Sequence, residues 1–486
     1  MDQTLDKPAI ETIDTAILLT SAGVFDAEGR TSLEKGPLTR VGGVTLFERT
    51  LMTLQRGGIA QVLILVGEEE QALRHLLKQD ARIHMTIRWL PIREFPPLQP
   101  QTWKTVATGI SGSCIVLGCQ MVCTPLLIRR LQEKGQGGRA VVMVGKTCAG
   151  RGVPNPGVFI PPRGISQRLS QRVVFHDYKG ISSSESCPQP DSMPAADLVV
   201  LPARLLGISG SWNIPSVSPL RLALEQAAAE ETIHAILVEP SEYVDARGVC
   251  GLQSAECALL QSLQTVEGGL NGWVDRYFNR KVSGCLTRLF IRFRFTPNMI
   301  TMLSLMIGLG SAGCFGWGSY QMGLLGALLF QLSVIVDCCD GEVARITFSE
   351  SSFGQELDIM ADNIVHIAIF AGIAWGSFVQ GVWSASLLPL VFGGIAMAAN
   401  GLSFWGVQRV RFLQAKPLRW SRIPEWAQTR LEWLLSKVAN RDFSIVVMVC
   451  AIFSLLPWFL FLSAIGASLF AVILHWTLRR ARLASV

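Results

Sequence analysis

The chain has 486 residues, of which 49% are hydrophobic and only 16% charged, and its mean hydropathy is +0.36. Soluble domains carry roughly 25% charged residues, so these values exclude a purely soluble enzyme, a disordered chain and a collagen-like fibre, and a net charge of +6 gives no reason to expect a nucleic-acid partner. At roughly 100–200 residues per domain the length accommodates two or three domains.

The first residues, MDQTLDKPAIETIDTAILLTSAG, place acids ahead of a very short apolar run and do not read as a secretory signal. From 13 to 67 the strand-like runs TAILLTSAG and QVLILVG enclose the helical stretch TLFERTLMTLQRGG, which is βαβ patterning. Further apolar runs at 114–118, 140–144, 197–201 and 234–238 extend it to an α/β, Rossmann-like domain over 1–265. Twelve Cys lie scattered without paired spacing and read as reduced thiols. Adjacent Cys338 and Cys339 could form a thiolate metal site, but with no second Cys or His pair nearby, helix packing is the better reading.

Residues 266–294 form a juxtamembrane stretch. Within it WVDRYFNRKVSGCLTRLFIRFR (273–294) alternates apolar and basic residues at helix-like spacing. Two readings stay open: an interfacial helix on anionic headgroups, and a linker helix with a solvated basic face.

Beyond it the charge falls away. No Lys or Arg occurs from Phe295 to Ala344, from Ile346 to Gln408, or from Asp442 to Leu478. A spanning helix needs about 20 mostly apolar residues, and 297–318, 321–344, 356–376, 384–406, 443–459 and 461–478 qualify, predicting an all-α polytopic membrane domain of six transmembrane helices over 295–486. Basic residues cluster before the first segment (Arg288, Arg292, Arg294), after the second (Arg345), between the fourth and fifth (Arg409, Arg411, Arg430) and at the end (Arg479, Arg480). The positive-inside rule then puts both termini and the N-terminal domain in the cytoplasm, with the chain a multi-pass protein of the cell (inner) membrane.

The second and third segments meet in VDCCDGEVARITFSESSFGQELDIMADN. Ionisable groups in apolar helices are costly and are functional candidates by default. Asp337 and Asp340 are three apart, Asp358 and Asp362 four apart, so each pair shares a helix face, and the short connection lets the faces converge. Four such carboxylates cannot all ionise without cations. Oxygen-only ligands suit Mg²⁺ or Mn²⁺, and two ions would suit displacement at phosphorus. Gly341 removes bulk beside Asp340, Arg345 offers a cationic fork for phosphate, and Gly354 leaves room one turn before Asp358. A proton pathway or interhelical salt bridges would need fewer acids and no such glycines.

The string Asp337, Asp340, Gly341, Ala344, Arg345, Gly354, Asp358, Asp362 resembles the complete signature of the CDP-alcohol phosphotransferases, and the resemblance runs over about 190 residues, including TPNMIT at 296–301. It implies a membrane homodimer in which a CDP-alcohol donor passes its phospho-alcohol unit to an acceptor alcohol and releases CMP. It further implies that Asp337, Asp340, Asp358 and Asp362 hold the metals, that Asp362 is also the catalytic base, and that Gly341, Ala344, Arg345 and Gly354 shape the CDP pocket. His366, one turn beyond Asp362, is read as a satisfied helical His rather than part of the site.

The N-terminal half resembles a sugar-phosphate nucleotidyltransferase through Gly36-Pro37-Leu38 and VGGVTLFERTL, and the fusion resembles the bifunctional inositol-phosphate cytidylyltransferase/di-inositol-phosphate phosphate synthase architecture. Two departures matter. The loop SAGVFDAEGRTSLEKG spaces Gly23, Gly29 and Arg30 loosely, and SCIVLGCQMV puts Cys119 or Gln120 where the resemblance calls for a metal-binding Asp. Lys35 and Asp245 remain as remnants of a phosphate and a metal site. A degenerate domain is expected. The alternatives are a bifunctional enzyme that makes its own CDP-alcohol from CTP, and a non-enzymatic nucleotide-sensing membrane protein.

Overall fold

The computed structural model describes residues 13–20, 36–145, 174–175, 198–208, 219–230, 233–239, 241–246, 251–266, 280–383, 386–414, 420, 423–438 and 443–484. They fall into two compact units, Met1–Ser262 and Leu263–Val486.

In the first unit the apolar runs become strands. β1 (Thr15–Leu19) is followed by the small ribbon β2 (Arg40–Val41) and β3 (Val44–Thr45), then α1 (Leu46–Gly57), β4 (Gln61–Val66), α2 (Glu70–Gln79), β5 (Thr86–Pro91), α3 (Pro100–Ala107) and β6 (Ser113–Gly118). The chain continues through β7 (Met121–Cys123), α4 (Pro125–Lys134), β8 (Ala140–Gly145), β9 (Val174–Phe175), β10 (Leu198–Pro202), α5 (Ala203–Ile208), α6 (Pro219–Ala229), β11 (Ile233–Val238), β12 (Tyr243–Asp245) and α7 (Gly251–Val266). Thr45 and Glu48 close a reciprocal capping box on α1, and Gly58 ends it in the left-handed region at φ 101°.

Eight strands form one sheet in the order β5-β4-β1-β6-β10-β8-β11-β9. Alternation along β1 divides the core, with Ala16 and Leu18 packing on the side of α1 and α4 and Ile17 and Leu19 on the side of α3 and α6. The Rossmann-like layering is as expected with one departure: β10 runs antiparallel to β6 and β8, whereas β5, β4, β1 and β6 are mutually parallel. Strand direction leaves no mark on hydropathy, so the apolar run at 197–201 could not announce it.

The second unit holds α8 (Arg280–Arg292), α9 (Pro297–Gly316), α10 (Tyr320–Thr347), α11 (Ser352–Val379), α12 (Leu388–Gln414), α13 (Glu425–Val438), α14 (Phe443–Ile452) and α15 (Leu456–Ala484). Five of them, α9, α10, α11, α12 and the stretch Leu456–Ala481 of α15, are long and apolar enough to cross a membrane. Of the sixth expected span, 443–459, α14 covers ten among the described residues, about 15 Å of rise, and is followed by a turn where Ser454 adopts φ 57° and Pro457 opens the next helix. Met306, Leu328, Leu469 and Val472 are each more than half exposed. Apolar residues pointing outward from helices with satisfied backbones are the pattern of a lipid-facing bundle, and the unit is a multi-pass membrane domain.

Inside the bundle, small residues let helices touch. Thr301, Ser304, Gly308, Ser311 and Ala312 form the buried stripe of α9. Ser333 Oγ donates to Ser304 O at 2.8 Å and Ser311 Oγ to Gly326 O at 2.7 Å, tying α9 to α10. A Cβ on Gly372 would come within 2.3 Å of Ala312 O, and one on Gly376 within 2.1 Å of Phe315 O, so α11 lies directly on the backbone of α9. Gly376→Val is expected to lower stability by at least about 1–3 kcal/mol, the usual range for overpacking. Gly310→Ala and Gly394→Ala, whose added methyls meet nothing within 4 Å, should leave stability unchanged or raised; thermal unfolding in detergent measures all three.

Candidate active site

The acidic residues sit on two helices joined by the four residues Phe348–Ser351. α10 stops at Phe348, which adopts φ 56°, and Ser349 N donates to Ala344 O at 2.9 Å. α11 starts at once, with the Ser351 side chain accepting from Gly354 N at 3.0 Å. The reversal brings the end of α10 and the start of α11 to one end of the bundle, where both helices pack on α9.

Asp337, Asp358 and Asp362 converge there, each offering one carboxylate oxygen, all within 4.8 Å of one another. Asp337 is buried, Asp358 half-buried and Asp362 exposed, so the cluster opens to the outside at Asp362. At that separation the Asp337–Asp358 repulsion is upwards of roughly 3 kcal/mol at an effective dielectric of about 20. A divalent cation relieves it, and three carboxylates are a fitting hard-oxygen donor set.

Asp340, expected as a fourth ligand, stands outside this trio. It is buried and accepts a hydrogen bond from Thr301 Oγ1 of α9. Arg345 folds back over its own helix, its guanidinium nitrogens 3.5 Å from where a Cβ on Gly341 would stand; a side chain there would push the fork aside. Ala344 lies half-buried one residue before it. The room expected at Gly354 is narrow: a Cβ would meet Ser351 Oγ at 3.0 Å and Asn298 Oδ1 at 3.1 Å. Gly354 thus lets α11 approach the first turn of α9. His366 packs edge-on against Phe330 and Phe443, at 6.1 and 5.4 Å between ring centroids, as a packing residue of the bundle.

Sequence reasoning missed Thr301 and Glu342. Glu342 is buried and accepts from Ser283 Oγ at 2.8 Å and Thr287 Oγ1 at 2.7 Å, both on α8. An acid within DGEVAR, in an otherwise apolar helix, was the available signal.

In the first unit Cys119 and Gln120 follow β6 at the end of the parallel strands, the usual place for ligands in open α/β sheets. β12 pairs with β7 so that Asp245 lies opposite Met121, and Ala246 N donates to Gln120 O at 3.0 Å. The remnant Asp245 and the position of the missing carboxylate are therefore neighbours. Cys119 is fully buried, and desolvation, with the nearby Glu69 charge adding, pushes its thiol above the ordinary range despite a hydrogen bond with Thr50. A protonated soft sulfur does not replace a carboxylate for Mg²⁺. Lys35, with Gly23, Gly29 and Arg30, lies outside the described residues.

Residues 294–477 match the CDP-alcohol phosphatidyltransferase family and form a domain of that family. The chain is 26% identical over 354 residues to the bifunctional IPC transferase and DIPP synthase of Rubrobacter xylanophilus, covering 70% of this chain and 73% of that protein. That alignment is longer than the 224 residues of the second unit, 263–486, so it reaches into the first unit. The protein of the same description from Aquifex aeolicus is 28% identical over 193 residues, 40% of either chain. Among solved structures, a Bacillus anthracis protein described as a glucose-1-phosphate thymidylyltransferase is similar at a TM-score of 0.34 and 10% identity, over 50% of this chain and 93% of that one. The chain is thus an enzyme, a transferase of the CDP-alcohol type.

The buried thiols of the first unit provide a check on its interior. Burial alone raises Cys114 and Cys123 to about 12, and a raised value means less thiolate at any given pH. Iodoacetamide between pH 7 and 9 should leave Cys114, Cys119 and Cys123 unmodified in the folded protein and alkylate all three after denaturation, as read by peptide mass spectrometry.

Proposed function

We propose that the helical unit transfers a phospho-alcohol unit from a CDP-linked donor to an acceptor alcohol at the membrane surface, releasing CMP, in phospholipid or inositol-phosphate-type synthesis. The observation that carries this reading is the convergence of Asp337, Asp358 and Asp362 at the mouth of a membrane bundle whose sequence holds the whole family signature. Asp337, Asp358 and Asp362 hold divalent cations, Mg²⁺ or Mn²⁺ and two of them by the family resemblance, with Asp340 completing the set. Divalent ions held there would supply charge neutralisation for the carboxylates and the diphosphate.

The chain's own residues then divide the work. Arg345, arched over Gly341, takes the diphosphate by its planar fork. Gly341, Ala344 and Gly354 line the nucleotide pocket. Asp362, the most exposed of the trio, is placed to take the proton of the acceptor hydroxyl as its oxygen attacks the phosphorus bearing the donor alcohol. The bond from that phosphorus to the CMP oxygen breaks and CMP departs. Thr301 holds Asp340 in one orientation. The likeness to bifunctional IPC transferase and DIPP synthase proteins favours a polar CDP-alcohol such as CDP-inositol over CDP-diacylglycerol as donor.

In this reading the N-terminal unit and the C-terminus are cytoplasmic, in keeping with the basic residues on that side, and the protein is a homodimer of the cell membrane. The domain boundary falls at 265, the juxtamembrane segment at 266–294 and the transferase domain at 295–486. The N-terminal unit is a degenerate nucleotidyltransferase, because a buried thiol stands where the first metal ligand belongs.

Purified protein with Mg²⁺ should release CMP from CDP-inositol or CDP-diacylglycerol in the presence of an acceptor alcohol, and EDTA should abolish release. Asp362→Asn is expected to slow it by about 100-fold to 10,000-fold, the range for loss of a general base; an unchanged rate refutes the assignment. Incubation with CTP and inositol phosphate should yield no CDP-inositol, and robust turnover would show that the N-terminal unit is active.

A further inference from the structure

α8 is held to the transferase helices by a polar clasp. Its buried stripe is Ser283, Leu286, Thr287 and Phe290, spaced at i, i+3, i+4 and i+7. Phe290 joins an apolar cluster with Val336, Cys339 and Val343 of α10. At its centre sits a carboxylate: Glu342 is 6% exposed, and the two hydroxyls that bond its two oxygens are fully buried. Glu342 lies two residues past Asp340, about 200° round the helix, and so faces α8 rather than the metal cluster. With both oxygens engaged by hydroxyls, it is not built as a further metal ligand.

We propose that Glu342 is a positioning residue that fixes the register of α8 on α10 and through it the start of α9, which lines the active site. A buried carboxylate is tolerable only when its hydrogen bonds are made. A slip of α8 by one residue would turn both hydroxyls about 100° away and leave the carboxylate unsatisfied, so one register is selected. From α8 the chain makes a single turn, with Arg294 at φ 57°, and enters α9 at the Thr296 cap. The next residues are those that touch the site: Asn298 against Gly354 and Thr301 on Asp340. The clasp thus sets where the first turns of α9 stand relative to the aspartates. The inference rests on the proposed metal-assisted transfer at Asp337, Asp358 and Asp362.

The test compares E342A, E342Q and the double variant S283A/T287V with wild type in detergent, by Mn²⁺ titration followed by electron paramagnetic resonance and, separately, by CMP release. E342A and S283A/T287V should weaken Mn²⁺ binding and slow CMP release by about 10-fold or more, as loss of groups that orient metal ligands does. E342Q, which keeps the shape and can hydrogen-bond both hydroxyls, should stay within about 3-fold of wild type. A merely structural role would lower the unfolding temperature without this recovery in Mn²⁺ affinity, and that result overturns the proposal, as do E342A and S283A/T287V that bind Mn²⁺ as wild type does. If E342A does not fold, T287V alone carries the same expectation at smaller size. Wild type that binds Mn²⁺ but releases no CMP from any CDP-alcohol refutes the transfer reading, while the Mn²⁺ comparison still decides the role of Glu342.

Discussion

Carboxylates converging from two successive helices repel, and the helical unit holds both helices on a third, α9. The reversal at Phe348–Ser351 joins α10 and α11 by four residues, and both helices pack on α9. α9 lies on α11 at glycine distance through Gly372 and Gly376; its Thr301 and Ser311 hydroxyls donate to α10, and its Ser304 carbonyl accepts from Ser333 Oγ of α10. Packing along the bundle thus opposes the repulsion. A cation then enters a cluster whose electrostatic cost the fold has already met, so more of its binding energy goes into affinity.

Depth in the membrane follows from the same arrangement. Alternating antiparallel helices bring the end of α10, the start of α11, and the ends of α12 and α15 to one side of the bundle. Trp476 lies between the guanidiniums of Arg430 and Arg480, at 5.5 and 4.5 Å, near the end of α15, a pairing typical of the interfacial belt. Asp362, the exposed member of the cluster, opens the site to the outside of the bundle. A site open there can meet a soluble nucleotide portion and a lipid portion of its reactants at once.

What the sequence made legible was what is local in it. Asp337, Asp340, Asp358 and Asp362 fall within 26 residues, and helical periodicity with a short connection sufficed to bring three of them together. Thr301 on Asp340 spans 39 positions, and Ser283 and Thr287 on Glu342 span 59 and 55. No periodicity encodes such pairs, and Ser and Thr in apolar helices look like packing residues until the partner is known. The same holds for the antiparallel β10 and for the turn at Ser454 that follows α14.

On the proposed reading, the first unit keeps the frame of an α/β site without its metal chemistry. β1 and β6 still pair in register from Thr15↔Cys114 to Leu19↔Gly118, and Cys119 N still donates to Leu19 O at 2.8 Å, so the strand ends stand where a ligand would be met. A thiol in the place of a carboxylate is smaller, apolar and neutral when buried, and packs as core. Such a change removes the desolvation penalty of the acid and so favours stability in the absence of a metal. Asp245, half-buried and held opposite Met121 by the pairing of β12 with β7, has less to gain, because a half-buried carboxylate remains partly hydrated. A ligand pair that loses its more buried member first, as the proposed reading has it, follows the order that burial energetics favours.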